Sequence, residues 1–421
     1  MKVLVIGSGA REHTLVWKLI QSIKVKEVYA APGNAGTALI ARNLDIKATD
    51  IETLVKAAQT NNIDLTVVGP EAPLAEGIVD RFLVRGLQVF GPTQAAAQIE
   101  CSKVFAKDLM QKYGIPCAQS DVFSDYEKAQ KYVQQKGVPL VIKADGLAGG
   151  KGVIVAETVQ EAMEALSNIM KAKAFGSAGD RVIIEEKLTG KEVSYFAFSD
   201  GTSTVPMVPA CDYKRVYNGD QGPNTGGMGS FSPPYWFTPD IAEKVEKAIM
   251  KPTVKALAQE GRKYSGVLYA GLMVNNKEPK VLEFNARFGD PECQVTLPRL
   301  KTDIVDIMLA VIDGKLNTVQ AEWSDQACVG VVLASGGYPG NYQTGFPITG
   351  LDALDKDVIV FHAGTKQGSR PGEFLTGGGR VLTVVAMGNT TEDARQKIYA
   401  NIPRIHFQGC HYRKDIAAIR R

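Results

Sequence analysis

Two short stretches of this 421-residue chain concentrate groups suited to phosphate and metal chemistry. The first is Asp145-Gly146-Leu147-Ala148-Gly149-Gly150-Lys151-Gly152, which follows an apolar run ending at Lys143. So much glycine costs backbone entropy, yet it lets amides come close to phosphate oxygens. The stretch reads as a flap over a polyphosphate, with a plain structural turn as the alternative. It is not a Walker loop, because Gly152 stands where Ser or Thr is required. The second stretch is Val281-Leu282-Glu283-Phe284-Asn285-Ala286-Arg287-Phe288-Gly289-Asp290-Pro291-Glu292. On a strand Glu283, Asn285 and Arg287 fall on one face. The two oxygen ligands suit Mg²⁺, which takes a few hard protein oxygens and leaves the rest to phosphates and water. The guanidinium suits a transferring phosphoryl or an acyl phosphate oxygen. An exposed polar strand face is the bland alternative.

Other groups are weaker signals. The glycine-rich stretch 222–229 is a loop shaped for a ligand or for a tight internal turn. Asp212, Lys214 and Arg215 precede it and could hold phosphates or a carboxylate, unless they are a solvated charge cluster. Lys366 and Arg380, with the turn Gly377-Gly378-Gly379, make a candidate anion cradle. Gly7-Ser8-Gly9-Ala10-Arg11-Glu12 begins like a dinucleotide fingerprint, but Glu12 replaces the third glycine and the strand ending near Ala31 supplies no acid for a ribose. An NAD-dependent enzyme is therefore disfavoured, although the loop's amides and Arg11 could still face an anion at a helix N-terminus. His13, at the helix start, is more often structural than catalytic, and His362, His406 and His411 have no metal-ligand spacing.

The elements that must position these residues follow from apolar patterning. Residues 2–6, 28–31, 65–68 and 89–90 are short apolar runs, each ending in a glycine loop and followed by a helical pattern. This predicts an open parallel sheet with ligands beyond the carboxyl ends of its strands. Residues 103–190 change to a helix and then strands at 140–143, 153–155 and 182–185, a small lid of antiparallel strands. Residues 191–325 alternate strand and helix and carry most of the polar motifs. Residues 326–421, with strands at 330–334, 358–361 and 380–386, form a small α+β domain. The fold class expected is α/β and α+β multidomain, with units 1–102, 103–190, 191–325 and 326–421.

Composition narrows the function. The hydrophobic content of 45% over this length supports several cores, and 48 Lys and Arg against 45 Asp and Glu leave a net charge of only +3. Nothing there favours a nucleic-acid partner. Six scattered cysteines without a CxxC pair read as reduced thiols, and there is neither a cleavable leader pattern nor an apolar run long enough to span a bilayer. A cytoplasmic protein with no membrane association is expected, and the chain's end soon after its last strand predicts no fused further enzyme.

Lys103, then Ile142-Lys143-Ala144-Asp145-Gly146 with the flap, then the segment from Glu185 to Glu192, resembles the ATP-grasp superfamily in order and spacing. The resemblance implies an ATP-grasp fold behind an N-terminal open parallel-sheet domain. It places Lys103 and Lys143 at the α- and β-phosphates, Gly149, Gly150 and Lys151 over the phosphates, Glu185, Glu186 and Leu188 at the adenine, and Glu192 at the ribose. Glu283 and Asn285 become ligands of Mg²⁺ or Mn²⁺. The further acid that many members carry on the preceding strand is missing from Tyr269-Ala270-Gly271-Leu272-Met273, which leaves Asp290 or Glu292 as substitutes.

Over essentially the whole chain the sequence is similar to the phosphoribosylamine-glycine ligase family. The strings that carry this are Gly7 to His13, Pro32-Gly33-Asn34, Gly69-Pro70-Glu71-Ala72-Pro73-Leu74, Gly91-Pro92-Thr93, the flap, Asp212-Tyr213-Lys214-Arg215, the 222–229 loop, the 283–292 strand and Phe361-His362-Ala363-Gly364-Thr365-Lys366. Tyr213 departs from the histidine common there. The resemblance implies a carbon-nitrogen ligase of purine (IMP) synthesis: ATP, glycine and 5-phosphoribosylamine give ADP, phosphate and glycinamide ribonucleotide through glycyl phosphate. It implies Arg287, Lys143 and Asp212 as catalytic residues. Substrate contacts would come from Gly9, Arg11, Asn34, Glu71, Asp212, Lys214, Thr225, Gly226, Gly227, Arg287, Asp290, Lys366 and Arg380. A monomer is expected. The rivals are a formate-dependent transformylase or an aminoimidazole ribonucleotide carboxylase on the same ATP site, and a nucleotide sensor without turnover.

Overall fold

The computed structural model describes residues 1–147 and 152–418. Its first sheet holds strands β1 (Lys2–Gly7), β2 (Glu27–Pro32), β3 (Arg42–Asn43), β4 (Leu65–Val68) and β5 (Val89–Phe90) in the order β3-β2-β1-β4-β5, all parallel. The unbroken apolar run of β1 has a direct cause: Val3 and Val5 enter one core and Leu4 and Ile6 another, so both faces are buried.

The lid sheet contains β6 (Ser120–Phe123), β7 (Leu140–Ala144), β8 (Val153–Ala156) and β9 (Val182–Glu186), antiparallel in the order β6-β9-β7-β8. It encloses its own core around Ile142, Leu166, Val182 and Ile184. The helix Lys103–Lys112 packs on the helices Gln94–Cys101 and Lys251–Gln259, outside that core.

The central part supplies β10 (Lys191–Asp200) and β11 (Thr204–Pro206), then the short strands β12 (Cys211–Asp212), β13 (Arg215–Tyr217), β14 (Gln221–Asn224) and β15 (Gly229–Ser232). The long strands β16 (Ser265–Asn275) and β17 (Glu278–Asn285) follow. The order β11-β10-β16-β17 makes an antiparallel sheet. The C-terminal strands are β18 (Ala327–Ala334), β19 (Pro347–Ile348), β20 (Val358–His362), β21 (Thr365–Gln367), β22 (Phe374–Thr376) and β23 (Arg380–Gly388). Sheet β12-β15-β18-β23-β20 joins two strands of the 211–232 region to the C-terminal ones, a sharing that apolar patterning did not signal because β12 has only two residues. No helix among the described residues is long and apolar enough to cross a membrane.

Candidate active site

Strand β17 is the floor of the site. Its pairing with β16 shifts register between Gly271 and Leu272, so Gly271 faces Glu283 and Leu272 faces Val281, and Leu282 is left without a partner. The freed Leu282 carbonyl accepts a hydrogen bond from Lys143 Nζ at 2.9 Å. A Cβ at Gly271 would stand 3.4 Å from Glu283 Cγ, an ordinary van der Waals contact, so the space over Glu283 does not depend on that glycine.

Glu283 gathers the cations. Burial works to raise its carboxyl, but Lys214, Lys143, Lys103 and Arg287 outweigh it and hold the group below its ordinary range. Lys103, at the start of its helix, donates to Gly146 O at 2.9 Å, and burial lowers its ammonium. Asp145 holds that junction: it accepts from Ser102 Oγ at 3.1 Å, Val104 N at 3.2 Å and Arg181 Nη2 at 2.5 Å. Asn285 Oδ1 accepts from Arg287 Nη2 at 3.1 Å. Arg287 lies just past the end of β17 and pairs with Glu100 at 3.0 Å and Glu71 at 3.4 Å.

Lys143 is buried at a strand end, where an unpaired ammonium is costly, and the protein supplies an anion. Its Nζ lies 2.9 Å from Glu185 Oε2, and Lys107 Nζ lies 3.0 Å from Glu185 Oε1 without hydrogen-bond alignment. All three groups are buried, so one carboxylate serves two ammonium groups and a net positive charge stays inside. Glu185 therefore commits its side chain to Lys107 and Lys143. Glu186 is turned elsewhere, accepting from Gln119 N at 3.0 Å and Lys280 Nζ at 3.4 Å. Glu192 and Lys214 pair directly at the half-exposed entrance.

The third group surrounds Asp212. Its Oδ1 is buried without a hydrogen-bond partner, and burial followed by the charge of Glu292 pushes the carboxyl well up. Glu292 accepts from Ser194 Oγ at 2.9 Å and Tyr269 OH at 2.6 Å. Asp290 receives Arg380 Nη2 at 3.0 Å and Gln294 Nε2 at 2.7 Å. Both candidate substitutes for a missing metal ligand are thus occupied by protein donors. Among the described residues no cluster of three or more His, Cys, Asp or Glu is placed to hold a metal ion. Glu283 and Asn285 still offer two hard oxygens on one strand face, which fits an ion whose remaining ligands come from phosphates and water.

Several residues are committed to shaping loops. Asn34 Nδ2 donates to Ser8 O and His362 O at 2.8 Å each, and its Oδ1 accepts from Gly36 N at 2.8 Å and Thr37 N at 2.9 Å. In the first glycine loop Glu12 accepts from Gly9 N at 2.5 Å and from Arg11 Nε at 2.6 Å, so one amide of the loop is taken by the protein itself. Arg11 also donates to Phe288 O at 3.2 Å. Thr225 bonds Lys214 O through both its amide and hydroxyl at 2.8 Å. Gly226 O accepts from Arg380 Nη1 at 2.6 Å, and Gly227 has φ +105° with no room for a Cβ against Pro291.

Lys366 and Arg380 diverge: Lys366 is exposed with its stem over Gly377, while Arg380 turns to Asp290 and Gly226. The glycine turn itself packs on Gly364, and Gly377 N donates to Gly364 O at 2.7 Å, so close backbone approach explains its composition. Leu188 follows β9 at the entrance, and Gly149, Gly150 and Lys151 lie outside the described residues. The residues that motif reading missed are Lys107, one helical turn after Lys103, and Glu100, which accepts from Ala286 N at 2.7 Å and pairs with Arg287. Their signal, charged residues on apolar-patterned helices, is too common to single them out. His13 and His362 are structural: His13 Nδ1 accepts from His362 N at 2.9 Å.

Comparison with known proteins agrees with this layout. Family models described as the N domain, the ATP-grasp (A) domain and the C domain of phosphoribosylglycinamide synthetase match residues 1–100, 101–293 and 328–419. The phosphoribosylamine-glycine ligase of Halalkalibacterium halodurans is 51% identical, covering 99% of this chain and 97% of the relative. That of Escherichia coli O157:H7 is 50% identical over 99% and 98%. The crystal structure of the Thermotoga maritima phosphoribosylamine-glycine ligase superposes with a TM-score of 0.86 at 36% identity, covering 99% of this chain and 100% of that one. Campylobacter jejuni biotin carboxylase, at 17% identity and a TM-score of 0.74 over 99% and 94% of the two chains, shares the fold. The multidomain α/β architecture is that of ATP-grasp enzymes, and the chain belongs to the phosphoribosylglycinamide synthetase family.

Proposed function

We propose that this chain joins glycine to 5-phosphoribosylamine with ATP, giving glycinamide ribonucleotide, ADP and phosphate in purine synthesis. The observation that carries the chemistry is that Lys214, Lys143, Lys103 and Arg287, each held by a partner of its own, together keep the Glu283 carboxyl below its ordinary range. The substrate assignment is supported by full-length relatives that bear the ligase name at about half identity.

A carboxylate resists attack by an amine, so a glycine oxygen first attacks the γ-phosphorus of ATP and ADP leaves, forming glycyl phosphate. The amine nitrogen then attacks the acyl carbon and phosphate leaves. Lys103 and Lys143 neutralise the phosphate oxygens, and Arg287 stabilises the transferring group. Asp212, whose buried Oδ1 has no hydrogen-bond partner, accepts a hydrogen bond from the substrate amine, and the proton the amine loses leaves with the phosphate. Glu283 and Asn285 would hold Mg²⁺ or Mn²⁺, which when bound offsets phosphate charge as a Lewis acid. The rest of the work is positioning, with no covalent enzyme intermediate. This assigns a small-molecule enzyme of the cytoplasm, acting as a monomer.

The test is glycine-dependent ADP formation with Mg-ATP and freshly generated 5-phosphoribosylamine, repeated with formate or bicarbonate in place of glycine. Turnover is expected only with glycine and the amine, and Glu283→Ala should lower it at least about a thousandfold, or roughly 4 kcal/mol of barrier. Turnover with formate or bicarbonate alone would keep the ATP site and overturn the substrate.

A further inference from the structure

We infer that residues 411–417 clasp the hairpin that presents Asp212, Lys214 and Thr225, and that Arg413 is the positioning residue of that clasp. The inference rests on reading this hairpin as part of the substrate site.

The hairpin cannot hold itself. Its strands β13 and β14 have three and four residues with a register irregularity between Arg215 and Tyr217, and residues 217–223 are exposed. Two-stranded hairpins of this size are at best marginal alone. Its apolar anchoring is slight, Val216 and Met228 meeting Ala334 and Tyr338.

The C-terminal segment provides the rest. Arg413 is fully buried, the largest side chain so enclosed, and a buried guanidinium is costly unless its donors are satisfied. Its Nε and Nη2 bind Asp415 at 2.8 and 2.7 Å, a bidentate pair within the segment. Its Nη1 reaches the hairpin, donating to Arg215 O at 3.0 Å and Asp220 Oδ1 at 2.9 Å. Its guanidinium lies 4.8 Å from the centroid of the Tyr213 ring, between Asp212 and Lys214 in sequence. Further bonds tie the same two segments: Gly219 N to Asp415 Oδ2 at 2.8 Å, Lys414 N to Asn218 Oδ1 at 2.8 Å, Ala417 N to Tyr213 OH at 2.9 Å, and His411 Nε2 with Val216 O at 2.9 Å. The tip they hold is unusual backbone, with Gly219 at φ +70° and Asp220 at φ +57°. Releasing Arg413 loosens the hairpin arm from Arg215 to Asp220, and Lys214, next to that arm, loses its fixed position while Asp212 stays paired with Ser230 in the sheet.

Arg413→Gln tests this. Relative to wild type we expect the KM for glycine to rise at least tenfold with the KM for ATP within twofold. Amides of residues 213–224 should exchange hydrogen faster while those of the lid strands β7 and β9 stay unchanged. An unchanged KM for glycine, or unchanged exchange in the hairpin, overturns the inference. If Arg413→Gln does not fold, Asp220→Asn, which leaves the Asp415 pair intact, should raise the KM for glycine about threefold with ATP unaffected. A glycine KM within experimental error of wild type in that variant also overturns the inference. A wild-type chain without glycine-dependent turnover would overturn the functional reading and the inference together, whereas an active wild type with indifferent variants overturns the inference alone.

Discussion

Replacing Glu185 by Gln should cost far more than replacing Lys107 by Met, and the two changes together should cost less than their sum. Glu185 is the single carboxylate between Lys107 at 3.0 Å and Lys143 at 2.9 Å, all three inside the protein. Removing it leaves two buried ammonium groups facing each other, and breaking a buried pair this way typically costs about 3 to 5 kcal/mol. Two ammonium groups touching the same carboxylate lie on the order of 5 Å apart, where unit charges repel by roughly 3 kcal/mol at an effective dielectric constant of about 20. Lys107→Met instead leaves Glu185 neutralised by Lys143 and removes the surplus charge, so its cost should stay below about 2 kcal/mol. In the double variant the repulsion is gone, and the coupling should recover roughly 3 kcal/mol. A multidomain chain does not unfold in one step, so the readout is native-state hydrogen exchange of β7 and β9, which reports the opening free energy of the lid itself. Saturating ADP should protect the Glu185→Gln lid more than the wild-type lid, because phosphate oxygens replace the missing negative charge beside Lys143. Additive costs, or a Glu185→Gln loss under about 1 kcal/mol, would refute the charge argument. Equal protection by ADP would refute the placement of Lys143 at the phosphates.

Two further outcomes follow from the same contacts. Burial, and for His13 also the nearby His362, lowers His13 to about 3 and His362 to about 4. Both folded values lie below the unfolded value of about 6.5, so the unfolded chain takes up protons first. Their contribution is complete above that pH and is lost as pH falls toward 4 and 3, costing roughly 2 to 3 kcal/mol per histidine at pH 4.5. His13→Asn, which keeps an acceptor for His362 N, should flatten the fall of the thermal midpoint between pH 7 and 4.5, and coincident profiles would count against the assignment. Gly227→Ala places a methyl 2.3 Å from Pro291 Cδ and 2.8 Å from Asp212 Oδ1 at φ +105°, so kcat/KM for glycine should drop at least about a hundredfold with ADP affinity little changed. A drop under threefold would mean that the loop yields without disturbing Asp212.

Legibility from sequence differed between elements for physical reasons. The strands 65–68 and 89–90 of the first sheet were readable to the residue, because a sheet buried on both faces demands continuous apolar runs and glycine loops end them. Strand β17 was readable because Glu283 and Asn285 flank buried Phe284 at alternate positions, although Arg287 falls beyond its end. Strands β12 and β15 were not, since Cys211-Asp212 and Gly229-Ser230-Phe231-Ser232 make no apolar run, and the partner of β15, β18, lies about a hundred positions away. The glycine loop at residues 7–9 is a different case. Its composition announces an open anion site, but whether an amide is free depends on where one side chain folds back, and Glu12 folds back onto Gly9.

That last case shows what separates the two glycine-rich signals in this chain. Gly7, Gly9 and Gly69 are small because Glu12 lies against all three, the contact at Gly69 being 2.2 Å from a would-be Cβ to Glu12 Oε1. Their glycines make room for a protein carboxylate. Gly227 instead makes room beside a carboxyl group that the protein leaves open: a Cβ there would stand 2.8 Å from Asp212 Oδ1, which has no hydrogen-bond partner. A glycine that admits a satisfied side chain is structural, whereas a glycine that clears space over an unsatisfied charge marks where substrate must bring the missing partner. By that criterion the proposed reactive centre belongs beside Asp212 and the hairpin at 211–229, while Glu12 gives the N-terminal loop a shaping role.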